Sequence, residues 1–271
     1  FCFLISHSMV VEIVVLGARG RMGQMVLAAC AKNQSVKVIG AVEAKGTPGV
    51  GQKLSIENLD VILTDSLETV IRPGCAVVDF TSVESTMAAL EVAERVGAAH
   101  IICTTGFSAD QKNRIESASK KIPLLMSPNM SIGVNVLFKA AENVARALGL
   151  DFDVEIVEAH HNQKKDAPSG TALGFAESVA RGLDESLEQV AVYGRVGMTG
   201  ARPRGQIGIH AVRGGDIAGD HTVLFAGDGE RIELRHVAHG RQIFAQGAVR
   251  AALFLKGKAP GLYTMTDVLG L

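Results

Sequence analysis

The chain has 271 residues, with 27 Lys and Arg against 28 Asp and Glu, for a net charge of −1. Apolar residues make up 47% and charged residues 20%, a balance that supports a packed core and excludes intrinsic disorder. There is no basic excess and no Lys/Arg cluster beyond short pairs, so no nucleic-acid partner is expected. No apolar run reaches the ~18 residues of a membrane span, so no membrane partner is expected either. Glycine is abundant at 30 residues while aromatics are only 4%, with no Trp, which suits backbone-lined ligand loops better than an aromatic docking surface. Four cysteines (Cys2, Cys30, Cys75, Cys103) lie far apart, without paired metal spacing or disulfide-scaffold density, and read as reduced thiols of a cytoplasmic protein.

Residues 1–8 are apolar but lack the basic start of a signal peptide. Met9 directly precedes the first patterned segment, so 1–8 read as lying upstream of the natural start. Val10 to Leu16 (VVEIVVL) is a β-branched run of the kind buried on both faces of a sheet. A glycine-rich turn follows, then a predicted helix over 24–32 and a strand over 36–42 that ends at Glu43. Predicted strands continue at 61–63, 76–80, 99–103 and 123–126, with helices at 85–96 and 109–119 between them. Strands alternating with helices predict a Rossmann-like, doubly wound parallel sheet.

After about residue 131 the pattern changes. A long amphipathic helix is predicted over 133–148, an alternating strand over 152–158 and a helix over 171–183. Short strands with glycine turns then run to residue 233, including Ile207 to Val212 and Thr222 to Phe225. This half reads as an α+β domain with a mainly antiparallel or mixed sheet. A last helix over 247–256 is expected to pack back on the first domain. The division is therefore 1–131 with 241–271 as a dinucleotide-binding domain, and 132–240 as a substrate domain.

Gly17-Ala18-Arg19-Gly20-Arg21-Met22-Gly23 sits after a strand and opens a helix. Residues without Cβ let the chain turn tightly and approach a pyrophosphate, whose charge meets the helix N-terminus. Glu43, twenty residues after Gly23, ends the next strand, where a carboxylate accepts from ribose hydroxyls. That carboxylate disfavours a 2′-phosphate, while Arg19, Arg21 and Lys45 offset the repulsion. The expected cofactor is NADH or NADPH, with a lean to NADH or dual use. Thr104-Thr105-Gly106 and Ser127-Pro128-Asn129-Met130 follow predicted strands at the carboxyl edge of the sheet, where ligands bind, although an ordinary turn explains Thr104-Thr105-Gly106 equally well.

The densest polar chemistry lies in Glu158-Ala-His-His-Asn-Gln-Lys-Lys-Asp-Ala-Pro-Ser-Gly-Thr171. His160 and His161 are adjacent, so on an extended chain they face opposite ways, and no third ligand stands at zinc spacing; no metal is expected. His160 and Lys164, four apart, can instead converge on one ligand: imidazole suits proton transfer, and Lys164, among the cations Lys165 and His161, is a candidate donor. Ser169 reads as a helix N-cap, with the N–H groups of Gly170 and Thr171 available to a carboxylate, although capping alone also explains Ser169.

This segment resembles the signature of the 4-hydroxy-tetrahydrodipicolinate (dihydrodipicolinate) reductase family of lysine and diaminopimelate biosynthesis. The resemblance extends through Gly17 to Gly23, Asp79-Phe-Thr81, Thr104-Thr-Gly-Phe107, Asn129 to Asn135, Arg213-Gly-Gly-Asp216 and Gly247 to Arg250. It implies hydride transfer from NAD(P)H to a cyclic unsaturated dicarboxylate, in a cytoplasmic homotetramer assembled through the second domain. By the same resemblance, His160 is the acid/base, Lys164 the proton donor, and His161, Gly170 and Thr171 the substrate contacts. The cofactor site is implied at Gly17, Ala18, Arg19, Gly20, Arg21, Met22, Glu43, Cys103, Thr104, Thr105, Ser127, Pro128, Asn129 and Met130. Three positions depart from the family pattern: Ala44 where relatives often carry Arg, Ser82 for another Arg, and Cys103 for a glycine. Two other readings stay open on sequence alone: a different two-domain dehydrogenase of an amino acid or sugar, and a non-enzymatic dinucleotide sensor.

Overall fold

The computed structural model describes residues 10–271, so the reading of 1–8 as upstream sequence lies outside the described residues. In chain order the elements are β1 (Val11–Leu16), α1 (Arg21–Ala31), β2 (Val36–Val42), β3 (Leu63–Thr64), β4 (Ala76–Asp79), α2 (Val83–Val96), β5 (Ala99–Ile102), α3 (Ala109–Ser119) and β6 (Pro123–Met126). There follow α4 (Ile132–Leu148), β7 (Asp153–His160), α5 (Gly170–Gly182), α6 (Leu187–Val190), β8 (Ala191–Tyr193), β9 (Ile207–Arg213), β10 (Asp220–Gly227) and β11 (Glu230–Val237). The chain ends with α7 (Gln242–Leu255), β12 (Gly261–Tyr263) and α8 (Met265–Leu269). The chain divides into two compact units, one running to Met130 and taking in Gln242–Gly270, the other spanning Ser131–Arg241. No helix among the described residues is long and apolar enough to cross a membrane.

The first unit is a seven-stranded sheet in the order β12-β6-β5-β4-β1-β2-β3, parallel throughout. The strand order reverses between β1 and β4, which opens a crevice at the carboxyl ends of those strands. Ile13, Val14, Val15, Val77, Val78, Ile101 and Ile102 are fully buried, which is why β1 reads as an unbroken apolar run. Helix α7 belongs to this unit and lies on α1 and the central strands. Its buried face is built from Ala245, Gly247, Ala248, Ala251 and Ala252. A Cβ on Gly247 would stand 1.7 Å from the Met130 carbonyl oxygen, so only glycine allows so close an approach. Helix α1 begins at Arg21, three residues before the predicted start, because the turn itself supplies the first helical turn.

The second unit holds a five-stranded sheet in the order β11-β10-β7-β9-β8. It is mixed: β10 pairs antiparallel with both β11 and β7, whereas β9 pairs parallel with both β7 and β8. The parallel pairing follows from the long crossover through α5 between β7 and β9. Helices α4 and α5 pack together on one face, with Phe138 edge-on to the buried Phe175 at 4.7 Å. Gly182 permits that approach, since a Cβ there would lie 2.4 Å from the Glu142 carbonyl oxygen. In β7 alternate residues turn inward: Val154, Ile156, Glu158 and His160 are buried. A strand that begins by filling an apolar core thus ends by placing a carboxylate and an imidazole, two residues apart, on the same inner face.

Candidate active site

In the first unit Gly17 follows β1 in a left-handed conformation (φ 65°), and its carbonyl accepts from the Gly20 N–H at 2.9 Å. A Cβ on Gly23 would stand 2.0 Å from the Gly17 carbonyl oxygen, so the third glycine is fixed by the approach of α1 to the turn. Gly20 occupies the N-cap of α1 without a side-chain cap, and the first turn carries no acidic residue. That end of the helix suits an anion. Glu43, just beyond β2, accepts from the Arg19 N–H at 2.9 Å and from the Ala44 N–H at 3.1 Å. A carboxylate has about four acceptor sites, so this tie to the glycine turn leaves room for ribose hydroxyls. A cavity of about 440 Å³ opens beside it, lined by Gly17, Glu43, Ala44, Lys45 and Thr81 together with small apolar residues of α2. The Arg19 guanidinium points away to the Pro48 carbonyl at 2.8 Å.

The next loops at this edge are set by one buried carboxylate. Asp79 at the end of β4 accepts from the Thr81 N–H at 2.9 Å, the Thr81 hydroxyl at 2.6 Å and His100 Nε2 at 3.2 Å. Its backbone carbonyl takes the Cys103 N–H at 2.9 Å, and the Thr86 hydroxyl donates to Thr104 at 2.9 Å. Burial pushes the Asp79 carboxyl up, but the hydrogen bonds from His100 and Thr81 outweigh it and hold the group below its ordinary value. His100 Nδ1 is buried without a partner, and the ring's Nε2 faces Asp79. Cys103 is half-buried, and desolvation with the nearby Asp79 charge keeps it a thiol. Thr104 is buried and Thr105 exposed. Ser127, whose N–H bonds the Ile102 carbonyl at 3.2 Å, turns its hydroxyl onto the Asn129 carbonyl at 2.8 Å, and Met130 is buried. Ser82, the second departure, caps α2 by accepting from the Ser85 N–H.

In the second unit Glu158 is completely buried. It accepts from His160 Nδ1 at 2.5 Å, from the two terminal nitrogens of Arg213 at 2.9 and 2.8 Å, and from the Ser169 N–H at 3.0 Å. Burial pushes this carboxyl up, but Arg213 and then His160 reverse the shift, so it stays ionised. The Nδ1 of His160 therefore carries the hydrogen and Nε2 the lone pair. Burial, assisted by Lys164 and Arg213, lowers His160 despite the pull of Glu158, so the ring is neutral near pH 7. A Cβ on Gly219 would lie 3.0 Å from His160 Nε2, so that glycine leaves space at the nitrogen.

Ser169 caps α5 by accepting from the Ala172 N–H at 3.1 Å, as its sequence position suggests, and its hydroxyl also lies 3.1 Å from His221 Nε2. His221 meets the His160 ring edge-on at 5.1 Å, and desolvation drives it down to about 3. Gly170 and Thr171 form the first residues of α5. Lys164 lies on the loop after β7, its ammonium 3.0 Å from Asp166. Backbone bonds from Gly214 to His160, from His161 to Ile217 and from Asn162 to Gly215 lash that loop to the Arg213-Gly-Gly-Asp216 turn. Among the described residues no group of three His, Cys, Asp or Glu is placed to hold a metal ion.

A family model described as dihydrodipicolinate reductase, N-terminus, matches residues 11–130, and one described as dihydrodipicolinate reductase, C-terminus, matches residues 133–269. The chain belongs to the dihydrodipicolinate reductase family. It is 48% identical over 263 residues to the 4-hydroxy-tetrahydrodipicolinate reductase of Ralstonia nicotianae, covering 96% of this chain and 100% of that one. The Polynucleobacter necessarius protein of the same name is 46% identical, covering 96% of this chain and 99% of its own. A dipicolinate-bound dihydrodipicolinate reductase from Paenisporosarcina shares the fold, with a TM-score of 0.77 at 24% identity, over 96% of this chain and 99% of that one. Membership makes the chain an oxidoreductase that works with a nicotinamide dinucleotide, and neither the amino-acid or sugar dehydrogenase nor the sensor reading has comparable support.

Sequence reasoning gave Glu158 and Arg213 no role, and passed over His221 and the Asp79–His100 pair. For Glu158 a signal existed, since two-residue spacing on a strand puts it on the face of His160. Arg213 stands in a stretch the family resemblance covers, but its contact with Glu158 shows only in the register that sets it opposite His160, and His221 is an isolated histidine on a third strand.

His160, His221 and His236 are all lowered by burial. On acidification the unfolded chain takes up protons below about 6.5 while the folded one resists, so stability falls from that pH downward, by up to about 1.4 kcal/mol per pH unit for each such group. The carboxylates Asp79 and Glu158, held below their ordinary values, add their loss only below about 4.5. Denaturant unfolding followed from pH 7 to 5 should show the decline already above the carboxylate range. A flat profile there would mean that these rings are protonated in the folded state.

Proposed function

We propose that the chain reduces a cyclic, unsaturated dicarboxylate of the dihydrodipicolinate type to tetrahydrodipicolinate with NADH or NADPH, within diaminopimelate and lysine biosynthesis. The observation that carries this reading is full-length likeness to relatives named for the reaction, joined to a second unit whose conspicuous chemistry is a carboxylate-held imidazole beside a lysine. The first unit fits the dinucleotide: the cradle of Gly17, Gly20 and Gly23 admits no Cβ without a clash or a tight contact, and the uncapped start of α1 and the cavity at Glu43 adjoin it.

Residues Gly17 to Met22 hold the pyrophosphate, and Glu43 the ribose. The loops Cys103-Thr104-Thr105 and Ser127-Pro128-Asn129-Met130 flank the nicotinamide, which supplies the hydride when bound. Hydride arriving at a conjugated carbon leaves electron density that a proton must quench. Lys164 donates that proton, and neutral His160, with its Nε2 lone pair, is the base that relays it. His161 and the start of α5 at Gly170 and Thr171 take the substrate carboxylates.

Arg19, whose guanidinium bonds Pro48, and Ala44, which carries no charge, leave Lys45 as the cation that lines the cavity beside Glu43, where a 2′-phosphate would meet one cation and one carboxylate. This supports a preference for NADH with some use of NADPH. The family's expected homotetramer is supported by the second sheet. Its face away from α4 and α5 exposes Val157 at 37%, Val212 at 49% and Val237 at 38%, on three different strands, with Val212 opposite Ala159 and Val237 opposite Asp220. The three described cysteines are all free, which suits a reducing cytoplasm.

NADH oxidation in the presence of freshly made precursor tests the reaction, and binding of NADH without turnover would overturn it. Lys164→Ala should lower kcat by roughly 100-fold or more with little change in NADH affinity, as for a lost proton donor; unchanged turnover would remove Lys164 from the chemistry. Ala44→Arg should raise kcat/KM for NADPH by about tenfold, the worth of one charge-assisted phosphate contact. An unaltered coenzyme ratio would place the 2′ position elsewhere. Light scattering should give a mass four times that of the chain, and a monomer would refute assembly through the exposed sheet face.

A further inference from the structure

We propose that Glu158, clamped by Arg213, is the positioning residue of the reaction: one buried carboxylate fixes the tautomer and direction of the His160 ring and pins the start of α5 against it. The inference rests on the proposed role of His160. Glu158 satisfies three sets of donors at once. Arg213 engages both oxygens, the Ser169 N–H takes the oxygen at 3.0 Å, and His160 Nδ1 takes the other at 2.5 Å. A buried carboxylate needs an opposite charge to remain ionised, and the bidentate guanidinium provides one without occupying the imidazole. With Glu158 ionised, Nδ1–H is the favoured tautomer and Nε2 is left as acceptor on the side where Gly219 leaves space. Because the same carboxylate holds the Ser169 N–H, the proton-handling nitrogen and the helix start assigned to a substrate carboxylate keep one fixed separation. Arg213 is in turn anchored by donating to the carbonyls of Asp166 and Val212, and Asp166 pairs with Lys164. One chain of contacts therefore joins both proton-handling groups.

The groups that face His160 are Glu158 on its own strand, Arg213 on β9, His221 on β10, and Lys164 on the loop after β7. Of these only Glu158 draws the ring toward its protonated form, so removing its charge moves any His160 titration to lower pH. Glu158→Gln should lower kcat by roughly 10- to 100-fold while leaving NADH affinity unchanged, and should shift the acid limb of the kcat profile to lower pH. Nitrogen-15 spectra of the imidazole should show hydrogen on Nδ1 in the parent protein and a mixture of tautomers in Glu158→Gln. Arg213→Lys, which keeps the charge but loses the fork, should fall between the parent and Arg213→Ala in kcat. It carries the same test if Glu158→Gln does not fold. If Glu158→Gln, or Arg213→Lys in its place, keeps both kcat and the acid limb while His160→Ala loses activity, the positioning role is overturned and the proposed reaction stands. If His160→Ala itself turns over normally, the assignment of His160 to the reaction is what fails.

Discussion

A carboxylate sealed inside a protein must find donors for all its lone pairs, and this chain meets that demand twice at the carboxyl end of a strand. Asp79 ends β4 of the first unit and Glu158 lies near the end of β7 of the second; both are fully buried and both bond a histidine. Removing the histidine from such a pair leaves a buried charged oxygen without a donor, at a cost of about 1–3 kcal/mol or more. That cost makes the carboxylates effective organisers: each draws in N–H and O–H groups from neighbouring segments and fixes loops that would otherwise be free to wander. The Asp79 carboxylate gathers the N–H and hydroxyl of Thr81 and the ring of His100, and Glu158 gathers His160, Arg213 and Ser169.

The two pairs differ in what they leave available. His100 is wholly inaccessible, with Nδ1 facing no partner, so its ring serves only as a donor that ties β5 to β4. His160 has the reverse arrangement: Nδ1 is consumed by Glu158, and Nε2 lies beside a glycine. The same two residue types thus give a structural brace in one unit and, in the proposed mechanism, a proton-handling group in the other. The difference lies in which ring nitrogen the carboxylate takes and whether the other is left without a partner in the core or faces a glycine.

The alternation of β1 to β6 with helices was legible because a parallel sheet buried on both faces needs unbroken apolar strands, and VVEIVVL has few other uses. The glycine turn was legible too, since each glycine answers a steric need that spacing alone conveys. What escaped were contacts between distant strands. Arg213 reaches Glu158 because β7 and β9 pair in parallel across a long crossover, a choice made by the packing of α5 rather than by either strand. The three-residue strands β8 and β12 carry too little periodicity to announce themselves, and each forms by adding to a sheet edge. His221 illustrates the same limit, for nothing in DHTVLF distinguishes a buried histidine from a solvated one until β10 is seen beside β7.

The charge balance around His160 explains why a lysine accompanies the histidine. Burial and the neighbouring cations Lys164 and Arg213 lower the ring, and Glu158 only partly restores it, so near pH 7 the imidazole holds no spare proton. A neutral histidine cannot quench the charge that follows hydride transfer unless a proton is carried to it. On the proposed assignment Lys164 brings that proton, and its pairing with Asp166, through Arg213, belongs to the same network that keeps Glu158 ionised. Replacing Arg213 by an uncharged donor would let Glu158 take a proton, remove the acceptor at Nδ1 and free the ring to turn. In the proposed mechanism, the separation of roles into a charged donor and a neutral acceptor follows from burying one carboxylate beneath one guanidinium.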